Sequence, residues 1–271
     1  MRKLLFRLLI TILLLLALLI GLAWFAPASL LGNLLEKQGS SLQLGLLKGR
    51  LHDGSAGQAR WQGIDIGKLS WQLGDFSFSP AAAGVNFQAS GPQIQAQGAF
   101  NAQRELLSSN DLNGHFPASW LNLQGLAPFL FAHGKINFDF SHLEVSKQGS
   151  PAASGVMNWE NAGLNGLLEL SLGDVRFDIS TLNPLTGKPS AESDSSREIV
   201  ITFSNRGEND LQLDLQLNGT ITTDGHQYQL DCLARASPGR SDINRFLRKA
   251  GKVTADGAYR LQFEGLLSPG N

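Results

Sequence analysis

The sequence predicts a mainly β protein, in which an N-terminal transmembrane helix precedes an elongated antiparallel β-sheet or sandwich domain with one or two short helices. Three observations predict this fold class. Residues 8–35 carry no charge. Beyond residue 40, apolar and polar residues alternate with period two, as in half-buried strands. The 30 glycines suit the many hairpins and bends of such a fold.

The first predicted element is a membrane anchor over residues 8–26. The run from Leu8 to Phe25 is long enough to cross about 30 Å of hydrocarbon as a helix. Trp24 and Phe25 come at the end of the run, where an aromatic belt meets the membrane interface. A cleaved signal peptide is the alternative, but its apolar core usually has about 7–15 residues. The longer run here favours a retained anchor.

Charge asymmetry predicts the orientation of this anchor. Arg2, Lys3 and Arg7 precede it, whereas the first charge after it is Glu36. Because positive residues stay on the cytoplasmic side, residues 1–7 are predicted to be cytoplasmic and the rest of the chain to lie on the other side. Residues 27–40 are predicted to form a juxtamembrane helix and linker at the membrane surface, since Pro27 and a candidate N-cap precede several leucines.

Residues 41–271 are predicted to form the exported β-rich domain. The clearest strand is Leu211–Leu217, in which leucine occupies every second position. Such alternation indicates a sheet with one apolar and one polar face, as in an antiparallel meander or an open sandwich. Asx-Gly pairs favour tight hairpin turns. Turns are therefore predicted at Asp53-Gly54, Asn113-Gly114, Asn218-Gly219, Asp224-Gly225 and Asp256-Gly257.

Two further segments are distinctive. Residues 183–196 are polar and contain two prolines, which predicts a surface loop. This loop is either mobile or ordered as a docking site. A helix is predicted after Ser241 as N-cap, closed by Gly251, with Ile243, Phe246, Leu247 and Ala250 on one face. The basic residues of this helix lie away from that face. They are either solvated side chains or form a contact patch for an acidic partner. These residues are Arg245, Arg248 and Lys249.

Charge and cysteine content exclude several classes of function. The 22 basic and 23 acidic residues give a net charge of -1, so nucleic-acid binding is not expected. Cys232 is the single cysteine and is predicted to be a small buried residue in a strand. The five histidines are scattered without the spacing of a zinc site, so we expect no metal.

No motif predicts catalysis or cofactor binding. His52-Asp53-Gly54-Ser55 contains triad residue types, but neighbours on a hairpin cannot adopt relay geometry. Gly187-Lys188 lacks the upstream glycine of a phosphate loop. We therefore expect no catalytic residue, no cofactor and no enzymatic activity. Four tryptophans could form an aromatic binding surface, although core packing is favoured; they are Trp61, Trp71, Trp120 and Trp159.

Three stretches of the chain carry a family resemblance. These stretches resemble type II secretion system protein N, also called general secretion pathway protein N. They are Gly49–Trp61 followed by Gly67–Leu73, then Gly155–Ala162, and finally Gly219–Gly265 with its Asp-Gly turns and short helix. The resemblance covers nearly the whole chain, but each motif is structural and loosely specified.

This resemblance implies a non-enzymatic accessory component of the type II secretion system. Such a component is a single-pass protein of the bacterial inner membrane with a periplasmic β domain, and it assists export of folded proteins across the outer membrane. The implied partners are other subunits of the inner-membrane platform and the secretin. The family has no catalytic residues to transfer to this chain.

Two other functions remain open from the sequence. A membrane-anchored periplasmic β sheet with an apolar groove also describes a carrier of lipid or lipopolysaccharide. If side chains cover the Leu211–Leu217 face, that observation counts against a carrier. A periplasmic enzyme would require a polar cluster assembled from distant strands.

Overall fold

The computed structural model describes residues 25–37, 39–78, 81–103, 106–121, 130–146, 151–166, 169–182, 197–206 and 213–266. The predicted anchor over residues 8–26 therefore lies almost entirely outside the described residues, as does the predicted loop over 183–196. Among the helices of the described ranges, none has the length and apolar character needed to cross a membrane.

The described residues form two short α-helices and fourteen β-strands, so the prediction of a mainly β fold is confirmed. The helices are α1 (Ser29–Lys37) and α2 (Ser241–Ala250), and a 3-10 turn covers Ala118–Trp120. The strands are β1 (Leu42–Gly49), β2 (Asp53–Trp61), β3 (Ile64–Phe78), β4 (Ala81–Ser90), β5 (Gln95–Gln103), β6 (Leu106–Pro117), β7 (Leu130–Ser146), β8 (Ala152–Gly166), β9 (Leu170–Leu182), β10 (Glu198–Arg206), β11 (Leu215–Thr223), β12 (Gln227–Ala236), β13 (Lys252–Val253) and β14 (Tyr259–Leu266).

The chain divides into two compact units. The first comprises Met1–Phe76 and Ala83–Gln95, and the second comprises Ser77–Ala82 and Ala96–Asn271. Each unit is described separately below.

The first unit contains α1 and the antiparallel strands β1 to β3, followed by most of β4 in the same order. Its core is built around Ala28, Ala56 and Trp71, all of which are buried. Leucines of α1 and β1 pack against this cluster, and the Nε1 of Trp71 donates a hydrogen bond to the Leu51 carbonyl at 2.9 Å. The segment predicted to be a juxtamembrane helix and linker contains α1, whose Leu30 and Leu34 are exposed, while its position at the membrane surface stays a prediction.

The second unit contains α2 and the strands from β5 onward. Its strands pair in chain order up to β12, after which the order is β14 and then β13. The described pairs from β6 onward are all antiparallel. This arrangement is a meander, which is one of the two predicted alternatives, and not an open sandwich.

Two of the predicted hairpin turns are confirmed. Asp224-Gly225 connects β11 to β12, and Asp256-Gly257 precedes β14. The carboxylate of Asp224 accepts hydrogen bonds from the backbone N–H groups of His226 and Gln227, each at 2.8 Å. This local bonding is the physical reason that an Asx-Gly pair predicts a turn.

The other three turn predictions are wrong. Asn113-Gly114 and Asn218-Gly219 lie inside β6 and β11, where neighbouring strands supply the hydrogen bonds that a turn would otherwise make. Asp53-Gly54 begins β2, and the turn before it starts at Gly49, whose φ is +87°. A Cβ at Gly49 would lie 2.6 Å from the Asp53 carbonyl oxygen, so glycine is required there.

The predicted strand Leu211–Leu217 is displaced toward the C-terminus, because β11 begins only at Leu215. Residues 211 and 212 lie outside the described ranges, and Leu213 precedes the strand. Leu213 and Leu215 are nevertheless buried, as the leucine periodicity predicted.

Candidate functional site

Two adjacent rows of side chains cross one face of the sheet in the second unit. Strand register defines them, because each row takes one residue from each strand from β6 to β12 and one from β14. None of these residues has a charged, amide or hydroxyl side chain. We call the two rows the apolar strip. The first row is Gly114, Phe138, Met157, Phe177, Phe203, Gly219, Cys232 and Leu261, and the second row is Leu112, Phe140, Gly155, Ile179, Ile201, Ile221, Leu230 and Phe263.

The opposite face of the same strands is polar. Successive residues of a strand point to opposite faces, so the residues between the two rows lie behind the strip. With the exception of Val156, that intervening row is polar: Asn113, Asp139, Asp178, Thr202, Thr220, Asp231 and Gln262. The prediction of a sheet with one apolar and one polar face is therefore confirmed for this unit.

Helix α2 packs on the apolar face beside the strip. Ile243 and Leu247 are each 2% exposed and join a core cluster with Val175, Ala234 and Tyr259. Phe177 and Leu261 of the first row pack against this cluster. None of the second row belongs to a core cluster of the described residues. The helix thus covers the edge of the strip and leaves its second row outside the core.

The burial of Leu215 bears on the carrier interpretation. Leu215 is 9% exposed and belongs to the cluster beneath α2. At this part of the leucine face the side chains are covered, which counts against a continuous open groove. Leu211 lies outside the described residues.

The N-terminus of α2 differs from its prediction. The helix begins at Ser241, and Arg240 takes the N-cap position without a side-chain capping hydrogen bond. Ser241 is therefore not the N-cap. At the other end, Gly251 donates its N–H to the Leu247 carbonyl at 2.9 Å, as predicted for the closing residue.

Arg240 attaches the start of α2 to the sheet. Its guanidinium donates to both carboxylate oxygens of Asp242, at 3.1 and 2.9 Å, and to the Glu169 carbonyl at 2.9 Å. It also pairs with Asp214, whose other oxygen accepts the N–H of Ser171 at 2.7 Å. These contacts raise the pKa of Arg240 and lower the pKa of Asp242 to about 2, chiefly through the hydrogen bond between the two side chains.

The lowered pKa of Asp242 predicts a dependence of stability on pH. A carboxyl group whose folded pKa lies below its ordinary value of 3.8 stabilises the fold above that value and loses this contribution as pH falls toward 2. We therefore expect Arg240→Gln to have a smaller loss of thermal midpoint between pH 4 and pH 2 than the parent chain. Melting curves at both pH values measure this difference. An equal loss of thermal midpoint in the two proteins would contradict the conclusion that Arg240 lowers the pKa of Asp242.

The outward side of α2 carries three cations that have no partner among the described residues, Arg245, Arg248 and Lys249, which we call the basic face. All three are exposed, and within the described part of the chain they form no ion pair or hydrogen bond through their side chains. Other arginines of this unit are paired with carboxylates: Arg176, Arg197, Arg235, Arg240 and Arg260. The basic face is therefore a local excess of positive charge on a nearly neutral chain.

Phe246 lies at the edge of the basic face, beside Lys249, and corrects one sequence expectation. The helical period placed it with Ile243 and Leu247 on the buried side, yet it is 58% exposed. A helix packed on one flat sheet buries a narrow stripe, here the Ile243 and Leu247 positions four residues apart. The basic face consequently combines cations with an exposed aromatic ring.

A polar cluster around a buried ion pair joins β6 and β7 to Arg197, the residue that directly precedes β10. Arg197 donates to the Glu144 carboxylate at 2.6 Å, and the two side chains are 6% and 10% exposed. His142 Nδ1 lies 3.1 Å from the Asn110 side-chain oxygen, while its Nε2 lies 3.6 Å from Glu144, too far for a direct hydrogen bond. Arg197 Nε is buried and unpaired. The cluster has the geometry of a structural ion pair, since the histidine and carboxylate are not in relay contact.

Among the residues that the structure describes, neither the remaining titratable groups nor the polar face forms a compact reaction site. No three His, Cys, Asp or Glu side chains within the described ranges are arranged to hold a metal ion. An open depression of about 450 Å³ on β11, β12 and β14 is lined mainly by polar side chains. Its Asp231 is already engaged by Arg260 and Gln262. Cys232 is buried as predicted, and burial raises the pKa of its thiol.

The tryptophans do not form a common binding surface within either unit. Trp71 is a core residue of the first unit, whereas Trp61 in the same unit is 50% exposed. In the second unit, Trp159 donates to the His133 carbonyl at 2.8 Å, and Trp120 stacks on Phe116. Core packing, the favoured interpretation, holds clearly for Trp71.

The predicted site residues divide into two groups. Arg2, Lys3, Arg7, Leu8 and Trp24 lie outside the described residues. Phe25 is described and is 66% exposed, with the Arg50 guanidinium 5.1 Å from its ring centroid. The three basic residues of α2 are described and exposed together on one helix. The apolar strip could not be predicted from the sequence, because its two rows are defined by strand register.

Comparison with known proteins places the chain in a family. A family model described as type II secretion system (T2SS), protein N, matches residues 40–262. No curated protein and no solved structure matches the chain. The match includes β1 to β13, α2 and the first half of β14, and so takes in the stretches on which the resemblance depended except residues 263–265 at the end of the last one. The chain belongs to the type II secretion system protein N family, and its general role is that of a component of that secretion system.

Proposed function

We propose that the chain is a non-enzymatic accessory component of the type II secretion system, held in the inner membrane by residues 8–26. In this proposal residues 1–7 are cytoplasmic, residues 27–40 lie at the membrane surface, and residues 41–271 form the periplasmic β region. The periplasmic region assists export of folded proteins through contacts with other secretion subunits. Family membership supports the general role, and the run of uncharged residues supports the anchor.

The observation that carries the contact proposal is the charge of α2, which is unpaired within the described ranges of the chain. Arg245, Arg248 and Lys249 project from a helix whose opposite side is fixed in the core by Ile243 and Leu247. A partner can therefore bind the basic face without displacing the helix. Charge complementarity steers association and selects the partner, so we propose an acidic surface on another subunit of the inner-membrane platform or on the secretin.

Charge reversal on the basic face tests this proposal. Full-length chain carrying Arg245→Glu, Arg248→Glu and Lys249→Glu is expected to lose copurification with secretion subunits by at least about tenfold, because like charges then face each other across the interface. The amount of secreted substrate in the medium should fall with it. Copurification of the parent protein should also weaken as ionic strength rises, since exposed charges are screened by salt.

A matched control variant separates this contact from the effect of net charge. Lys48→Glu, Arg60→Glu and Lys68→Glu change the net charge by the same amount on exposed positions of the first unit. We expect this variant to retain both copurification and secretion. Equal loss in the two variants would contradict a specific role of the basic face. Retention of copurification in both would also contradict it.

A further inference from the structure

The second row of the apolar strip has no described element packed on it. Seven of its eight residues are only half-buried, and Phe263 is 48% exposed. A sheet normally buries its apolar face against another layer, and α2 supplies that layer only beside the first row. The second row is thus an apolar surface that the described part of the chain leaves open.

The open second row is long and narrow. Eight neighbouring strands about 4.8 Å apart give it a length of about 34 Å, and the spacing of about 6.8 Å between residues on one face of a strand gives its width. The resulting open area is about 230 Å². The first row adds little to it, because its side chains are mostly buried or packed against the core clusters.

The chemistry of the strip decides what kind of molecule fits it. Its backbone groups are hydrogen-bonded within the sheet, and its side chains offer no donor or acceptor other than a buried thiol. A stable protein interface buries about 800 Å² on each partner and includes about one hydrogen bond per 100–200 Å². The open second row has only about a quarter to a third of that area and no polar side chain. An occupant made of hydrocarbon matches both properties, whereas a protein surface or a second copy matches neither.

We propose that the apolar strip binds the acyl chain of a phospholipid. The chains of one leaflet span about half of the ~30 Å hydrocarbon thickness, so one chain fits along the strip with room to spare. The first unit also exposes apolar side chains at Phe25, Leu30 and Leu34, which suit contact with a bilayer surface where phospholipid is the abundant amphiphile. This binding is additional to the secretion role and does not depend on it.

Photo-crosslinking from the two faces of one strand tests the proposal. A benzophenone amino acid is placed in the full-length chain at Ile201, on the strip, or at Thr202, on the polar face. After irradiation of intact cells, mass spectrometry identifies the adducts. We expect phospholipid adducts at position 201 at least about tenfold above those at position 202. Equal labelling at both positions would overturn the proposal. So would adducts at position 201 that consist of another protein, a second copy, the chain's own residues or lipopolysaccharide.

Polar substitution on the strip provides a second measurement. Ile179→Asn and Ile221→Asn place amides in the second row, and Thr202→Asn is the control on the opposite face. When the strip variants have the same melting curves as the parent chain, we expect them to copurify about tenfold less phospholipid than the control. This factor corresponds to about 1.4 kcal/mol of binding free energy. Unchanged phospholipid in folded strip variants would overturn the proposal. If the variants fail to fold, the crosslinking comparison decides alone.

Discussion

Replacing Arg197 by methionine is expected to lower the free energy of unfolding of the chain by about 3–5 kcal/mol. The substitution leaves the buried Glu144 carboxylate without the guanidinium that lies 2.6 Å away. A buried carboxylate without an ionic partner is destabilising, because its remaining contacts do not compensate for the hydration free energy that it lost on burial. Chemical denaturation monitored in the second unit measures the change.

The control for this prediction is Arg176→Met. Arg176 pairs with Asp178 at 2.8 Å, but the two side chains are 57% and 54% exposed. Exposed ion pairs contribute about 0–1 kcal/mol, so the control should change stability little. Comparable losses in the two variants would contradict the assigned difference in burial. The double variant Arg197→Met with Glu144→Leu should recover most of the loss, since it removes both charges.

Truncation of Leu247 to alanine is expected to cost about 2–5 kcal/mol. Leu247 is 2% exposed and packs α2 on the apolar face, so its removal leaves a cavity between helix and sheet. Denaturation of the full-length variant measures this cost. Detachment of α2 should also expose its amide groups to hydrogen exchange before the strands exchange.

The neighbouring residue supplies the control for Leu247. Phe246 is larger but 58% exposed, so Phe246→Ala should change stability by only about 0.5 kcal/mol. If Phe246→Ala destabilises the chain as much as Leu247→Ala, the helix lies in a different rotation about its axis. The basic face would then not be the outward side.

The sequence predicted features that depend on local periodicity. Alternation of apolar and polar residues is a property of single strands, so a sheet with two unlike faces could be predicted without knowing which strands pair. The apolar positions four residues apart at Ile243 and Leu247 likewise identified α2. The turn at Asp224 was predictable because its hydrogen bonds join residues two and three positions apart.

Features that depend on pairing between distant residues could not be predicted. The Asn113-Gly114 and Asn218-Gly219 pairs favour turns locally, but cross-strand hydrogen bonds hold them extended. The partners Glu144 and Arg197 are 53 residues apart, and no local pattern connects them. The apolar strip arises only when eight strands adopt one register, so its residues appear in the sequence as unrelated short alternations.

The molecule that α2 contacts in secreting cells is the most direct test of the proposed function. A benzophenone amino acid at position 246 lies at the edge of the basic face beside Lys249 and, at an exposed position, leaves the core intact. We expect crosslinks to a subunit of the type II secretion system, and their loss when Arg245, Arg248 and Lys249 are reversed in charge. Crosslinks only to membrane lipid, or none to any secretion subunit, would contradict the proposed function.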